Sequence, residues 1–241
     1  VEGTFNLLQL AVDQTQRRDE PVRFVFPSSV AVYGFPTLAA KLATGPQTEQ
    51  DPCSPTTIYG ASKLYCEHLG AYFSQSQPRG PGQVGIDFRA LRLPGLISAD
   101  TLPTGGTSDY GPEMLHHAAE GRPYRCFVRP DTRMPFMTMP DAVRALIGLA
   151  EAPSLNRQVY NVTGFSPSAE ELQRIVQEYF PSSEIRYEPD PRRQAIVDSW
   201  PAEVDDRAAR EDWGWAPEHG LRAAFEEYLI PAVSRRYAAA K

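Results

Sequence analysis

Lysine is nearly absent from this sequence. Of 24 basic residues only Lys41, Lys63 and Lys241 are lysines, and arginine supplies the rest, so each lysine calls for a chemical reason. Cysteine is equally sparse: Cys53, Cys66 and Cys126 are odd in number and form no C-x-x-C pair. That argues against a disulfide framework or a structural metal site and makes a reducing, cytoplasmic setting the expectation. No apolar run approaches the ~20 residues of a membrane span, and the first residues lack a charged region followed by an apolar one. A mitochondrial location stays open, because the chain begins inside a helical pattern. Basic runs are missing too, and the formal net charge of −6 argues against a nucleic-acid or anionic-membrane partner. No G-x-x-G-x-x-G turn of the dinucleotide-binding kind occurs among the 17 glycines.

What is present is globular. A chain of 241 residues, 41% of them hydrophobic, buries a sizeable core as one domain or one domain with a small lobe. Val1, Phe5, Leu8 and Val12 recur at helical spacing, and Val22–Phe26 reads as a strand. Residues 34–57 read as a long loop, and a helix is expected from about Thr57 to Ser74. A Pro/Gly-rich connector, Gln77 to Gly85, leads to a second buried strand, Ile86–Leu93. Strand, helix, strand is the unit of a parallel α/β sheet. Beyond Pro94 come shorter elements: a helix near 111–120, strands near 124–128, 158–162 and 184–187, and helices near 205–212 and 221–236. Asp141 is read as the N-cap of a helix over 142–151, and Ser168 with Glu171 as a capping box over 168–180. Trp213 and Trp215 are read as packing residues.

The sharpest chemical pattern is Tyr59-Gly60-Ala61-Ser62-Lys63, a Y-x-x-x-K on the helix expected from Thr57. Residues four apart share a helix face, so phenol and ammonium point into one site. There the ammonium favours the phenolate, as a general base for an alcohol requires. Spacing alone is weak evidence, since it recurs at Tyr237 and Lys241. Upstream, Phe26-Pro27-Ser28-Ser29-Val30-Ala31-Val32-Tyr33-Gly34 is a strand ending in two hydroxyls and a glycine-marked turn. Ser28 is a candidate helix or turn cap.

Serine on a strand, then tyrosine and lysine on the following helix, resembles the extended short-chain dehydrogenases/reductases, the NAD-dependent epimerase/dehydratase family. Longer motifs narrow the resemblance to its L-threonine 3-dehydrogenase members: Leu91-Arg92-Leu93-Pro94-Gly95-Leu96-Ile97-Ser98, Gly105-Gly106-Thr107-Ser108-Asp109-Tyr110, Pro130 to Pro135, Met139 to Ala142, and Arg193 to Pro201. The resemblance implies a Rossmann-type doubly wound parallel sheet with a small C-terminal α/β substrate lobe. Its first strands and glycine-rich turn lie upstream of Val1, where Val1-Glu2-Gly3-Thr4-Phe5-Asn6 resembles the middle of the family's N-V-x-G-T-x-N-L helix. Residues 1–98 are then the C-terminal part of the dinucleotide-binding domain carrying the catalytic residues. Residues 99–241 are mainly the substrate-binding lobe, with segments near 140–163 returning to the sheet. The implied reaction is oxidation of L-threonine at C3 with NAD as cofactor and no metal. Ser29, Tyr59 and Lys63 are catalytic; Tyr59, Lys63, Leu93, Pro94 and Leu96 meet the cofactor; Ser29, Tyr59, Gly105, Thr107 and Trp200 meet the substrate. The resemblance allows a homodimer. A nucleotide-sugar epimerase or dehydratase and a shortened, non-catalytic remnant are the alternatives.

Overall fold

The computed structural model describes residues 1–75 and 85–238, so most of the Pro/Gly-rich connector and Lys241 lie outside the described residues. Helix α1 (Glu2–Arg18) buries Leu8 and Ala11 and carries Arg17 and Arg18 in its last turn, where cations complement the negative helix end. Strand β1 (Arg23–Ser29) continues beyond the expected Phe26 through Pro27 to both serines. Among the described residues β1 pairs with β2 alone. A single 3₁₀ turn, Val30–Val32, follows.

The segment expected to be loop contains a short helix, α2 (Leu38–Ala43), capped by Thr37, whose Oγ1 accepts from the Ala40 amide. Its anchor is non-local. Lys41 is buried, and its Nζ donates to the carbonyls of Arg133 (2.8 Å) and Val197 (3.2 Å). Helix α3 (Ile58–Ser74) begins at its cap Thr57, and β2 (Asp87–Leu93) follows. Next come β3 (Gly95–Ile97), α4 (Tyr110–Glu120), β4 (Tyr124–Cys126), β5 (Phe136–Thr138) and α5 (Met139–Glu151).

Asp141, expected from the sequence to cap α5, does not do so. Thr138 is the N-cap, and Asp141 sits inside the first turn with its amide donating to Thr138 Oγ1. Pro140 in the first turn lets the helix begin earlier, since its missing N–H has no partner to lose there. The buried Asp141 carboxylate instead accepts from Arg144 and from the amides of Glu218 and His219. The remaining elements are β6 (Val159–Asn161), α6 (Ala169–Tyr179), β7 (Ile185–Tyr187), α7 (Pro191–Asp198), α8 (Arg207–Trp213), and a C-terminal helix. This last runs through α9 (Leu221–Ala223), a π-helical stretch (Ala224–Leu229) and α10 (Ile230–Ala238). The Ser168/Glu171 capping box on α6 is present as read. Helix α7 was not expected; Asp190 caps it and Pro191 opens it.

β1, β2 and β6 form a parallel sheet in that order, with Ser29 level with Leu93 and Arg92 level with Asn161. One face packs Phe26, Phe88 and Ala90 against Leu8, Ala11 and Cys66 of α1 and α3. The other packs Leu91 and Leu93 against Ala142, Ala145 and Leu149 of α5, with Trp213 and Trp215 in the same cluster. Helices on both faces of a parallel sheet make the doubly wound α/β arrangement. A second core, around α4, α6 and the C-terminal helix, encloses the pairs β3–β5 and β4–β7. Among the described residues no helix is long and apolar enough to cross a membrane.

Candidate active site

At the C-terminal ends of β1 and β2 lies a cavity of about 600 Å³, where a parallel sheet presents its ligand crevice. Ser29 and Leu93, the level last residues of the two strands, line it together with Tyr59 and Lys63 from the first turns of α3.

Two local features bring α3 to this place. Thr57 Oγ1 accepts from the Gly60 amide at 3.0 Å and starts the helix. Gly60 then lets the helix backbone approach the turn after β1, for a Cβ at this position would stand 2.1 Å from the Ala31 carbonyl oxygen. The Y-G-x-x-K spelling therefore has a steric origin: the residue after the tyrosine must be small for α3 to lie this close to the turn after β1.

Lys63 is held in three ways. Its Nζ donates to the Pro27 carbonyl at 2.6 Å and lies 5.0 Å from the Phe26 ring centroid and 5.6 Å from that of Tyr59. Burial lowers its pKa from the ordinary lysine value. Tyr59 itself is half exposed toward the cavity.

The two serines divide their work in a way opposite to one expectation. Ser29, not Ser28, caps the 3₁₀ turn, accepting from the Ala31 amide at 3.2 Å, while it also lines the cavity. Ser28 is buried and donates to Glu67 Oε1. Glu67 forms a two-point ion pair with Arg92 (3.1 and 2.8 Å), and Arg92 donates to Tyr33 Oη at 2.8 Å. Both charges are almost fully buried, and the nearby Glu67 carboxylate holds Arg92 firmly charged despite its desolvation. Desolvation pushes the Tyr33 phenol up to about 12. This network ties β1, α3 and β2 together directly behind Ser29, Lys63 and Leu93. Sequence reading missed it, although Glu67 stands four residues after Lys63 on α3 and Arg92 immediately precedes Leu93.

The remaining wall comes from the chain after Pro94. Pro94 and Leu96 line the cavity beside Leu93; Gly106, Thr107 and Ser108 line it from the glycine loop; Ile196 and Trp200 line it from α7 and its end. Of the residues singled out in the sequence, Ser29, Tyr59, Lys63, Leu93, Pro94, Leu96, Thr107 and Trp200 are thus brought together. Gly105 stands one residue back, with its carbonyl turned to Arg193. Trp200 Nε1 is buried and has no hydrogen-bond partner among the described residues.

Residues 1–163 match the model of the NAD dependent epimerase/dehydratase family. The chain is 38% identical over 226 residues to the mitochondrial L-threonine 3-dehydrogenase of Bos taurus, covering 92% of this chain and 55% of that protein. It thus spans about half the length of that relative. Among solved structures, the holo form of a GalE-like L-threonine dehydrogenase from Cupriavidus necator superposes with a TM-score of 0.80 at 38% identity, over 99% of this chain and 70% of that one. A partial-consensus L-threonine 3-dehydrogenase gives 0.81 at 37%, over 98% and 70%. With the serine–tyrosine–lysine cavity at the end of a parallel sheet and a family match over two thirds of its length, the chain belongs to the NAD-dependent epimerase/dehydratase family.

Proposed function

We propose that this chain supplies the catalytic and substrate-binding part of an NAD-dependent L-threonine 3-dehydrogenase, which oxidises the substrate at C3 to 2-amino-3-oxobutyrate. The observation that carries the reading is the single cavity lined by Ser29, Tyr59, Lys63, the Gly106–Ser108 segment and Trp200. Residues 1–98 hold the catalytic groups, and residues 99–241 mainly shape the substrate side, with 140–163 returning to the sheet.

The donor set fits the nicotinamide and ribose end of NAD. Lys63 offers an ammonium for the ribose, and Leu93, Pro94 and Leu96 line the same space. The glycine-rich turn that cradles a pyrophosphate at a helix N-terminus is not among the residues of this chain. When bound, NAD supplies the acceptor for the hydride leaving C3.

The chain's own residues manage the proton and the geometry. Tyr59 takes the proton of the C3 hydroxyl, and Ser29 holds that oxygen in place. Lys63 stabilises the phenolate as a compact charge, which the broader guanidinium of arginine matches poorly. Thr107 and Trp200 confine the amino acid so that the hydroxyl meets Tyr59 in a reactive orientation.

The test is a substrate comparison with the full-length protein. L-threonine-dependent NADH formation, with no turnover of UDP-glucose, is expected. Turnover of UDP-glucose and none of L-threonine would assign the site to a nucleotide sugar instead.

A further inference from the structure

The glycine loop over the cavity is tied down from outside itself. Within the loop, Asp109 Oδ2 accepts from the Thr104 amide at 3.0 Å and the Gly106 amide at 2.7 Å, which folds the segment onto the start of α4. Gly105 has a φ of +86°, and a Cβ there would meet nothing within 4 Å. Side-chain packing therefore does not hold the loop at this point. The tie is Arg193, whose Nη2 donates to the carbonyls of Gly106 (2.7 Å) and Gly105 (3.3 Å). Its guanidinium also lies over the Phe127 ring, 3.1 Å from the centroid.

Arg193 occupies the first turn of α7, the helix end that disfavours a cation. Its acceptors are neutral carbonyls. A cation in an unfavourable place, stacked on an aromatic face and forked onto a glycine backbone, is explained by what it holds. The helix that carries it is well anchored. Gln194 Oε1 accepts from the Arg129 amide at 2.7 Å, Asp198 pairs with Arg129 at 2.9 and 3.0 Å, and Lys41 Nζ donates to the Val197 carbonyl. The same helix places Ile196 in the cavity wall, and Trp200 follows just beyond its end.

We propose that Arg193 is a positioning residue that latches the Gly105–Ser108 loop to α7, so that Thr107 and Ser108 form a preorganised wall for the amino-acid substrate. The role of the wall rests on the reading of the site given above; the latch itself does not. Without the fork the loop samples open conformations, and substrate binding must order it again, a cost that falls on binding rather than on proton removal.

Hydrogen exchange on the full-length protein, followed by mass spectrometry, reads the latch without any substrate. In Arg193→Ala, amides of the 104–109 segment should exchange about tenfold faster or more, with α7 unchanged, as expected for loss of hydrogen bonds from a charged donor. Arg193→Lys should restore only part of the protection, because an ammonium that reaches the two carbonyls has no planar face to lay over Phe127. In the rate assay the alanine variant should raise KM for L-threonine about tenfold and leave kcat nearly unchanged. Loop exchange that is unaltered in Arg193→Ala, or raised equally through α7, would overturn the latch. Absence of threonine turnover in the unsubstituted protein would instead contradict the reading of the site, and the exchange result would still decide the latch.

Discussion

The backbone of Gly60 rests against the carbonyl of Ala31 so closely that a methyl group between them would stand 2.1 Å from the oxygen. This contact sets the distance between α3, which carries Tyr59 and Lys63, and the end of β1, which carries Ser29. Gly60→Ala should push the helix outward. We expect a loss of about 1–3 kcal/mol in stability, the usual range for overpacking, seen as a lowered Tm. A fall in kcat larger than the loss of folded protein explains should accompany it. An unchanged Tm with full activity would mean that the contact does not set the geometry.

The buried pair of Glu67 and Arg92 makes a second prediction. Glu67→Gln or Arg92→Met alone leaves a charge buried without its partner, and should cost about 3–5 kcal/mol by denaturant unfolding. Joining both changes should cost clearly less than the sum of the two, because no lone charge remains. Strict additivity would show that the pair does not act as a unit.

Lys41 predicts a pH dependence of stability. Burial lowers its pKa from 10.5 to about 8 in the folded protein. The unfolded chain therefore binds the extra proton between these values, and folding gains stability as pH rises from about 8 to 10.5. The gain is lost again as pH falls through about 8. Relative to Lys41→Met, the unsubstituted protein should gain about 3 kcal/mol across that window. A difference between the two proteins that stays flat from pH 8 to 10.5 would contradict the buried placement.

For Lys63, burial again lowers the pKa, and in the proposed function the ammonium is the form that supports Tyr59. Activity should therefore fall on the alkaline side at a pH below that of an ordinary lysine. Lys63→Arg should remove this limb and most of the rate together, because the broader cation does not take the place between Pro27, Phe26 and Tyr59. A variant with near-normal turnover would mean that only the charge matters.

What the sequence made legible was short in range. The pairing of Tyr59 with Lys63, the start of α3 at Thr57 and the capping box of Ser168 and Glu171 all follow from neighbours within one helical turn. The parallel sheet followed from strand–helix–strand order and buried apolar runs. Asp141 was misread because Thr138, also able to cap, stands three residues earlier and the intervening Pro140 suits a first turn. Lys41 and Arg193 were silent for another reason. Their partners are backbone carbonyls far along the chain, Arg133 and Val197 for one and Gly105 and Gly106 for the other, and a carbonyl carries no sequence signal. Ser28 and Ser29 both stand in the cavity lining, and what adjacency in the sequence does not show is that the Ser28 hydroxyl is taken by Glu67, 39 residues further on.

In the proposed function Tyr59 removes the proton of a threonine hydroxyl held by Ser29. The most direct measurement is the rate of L-threonine-dependent NADH formation by the full-length protein and its Tyr59→Phe variant, with NAD affinity measured on both. Loss of the phenol should lower kcat by about 10²–10⁴-fold, the usual contribution of a general base, while NAD affinity and folding change little, since the half-exposed ring is retained. A variant that turns over L-threonine within a few-fold of the unsubstituted rate would remove Tyr59 from the role of general base.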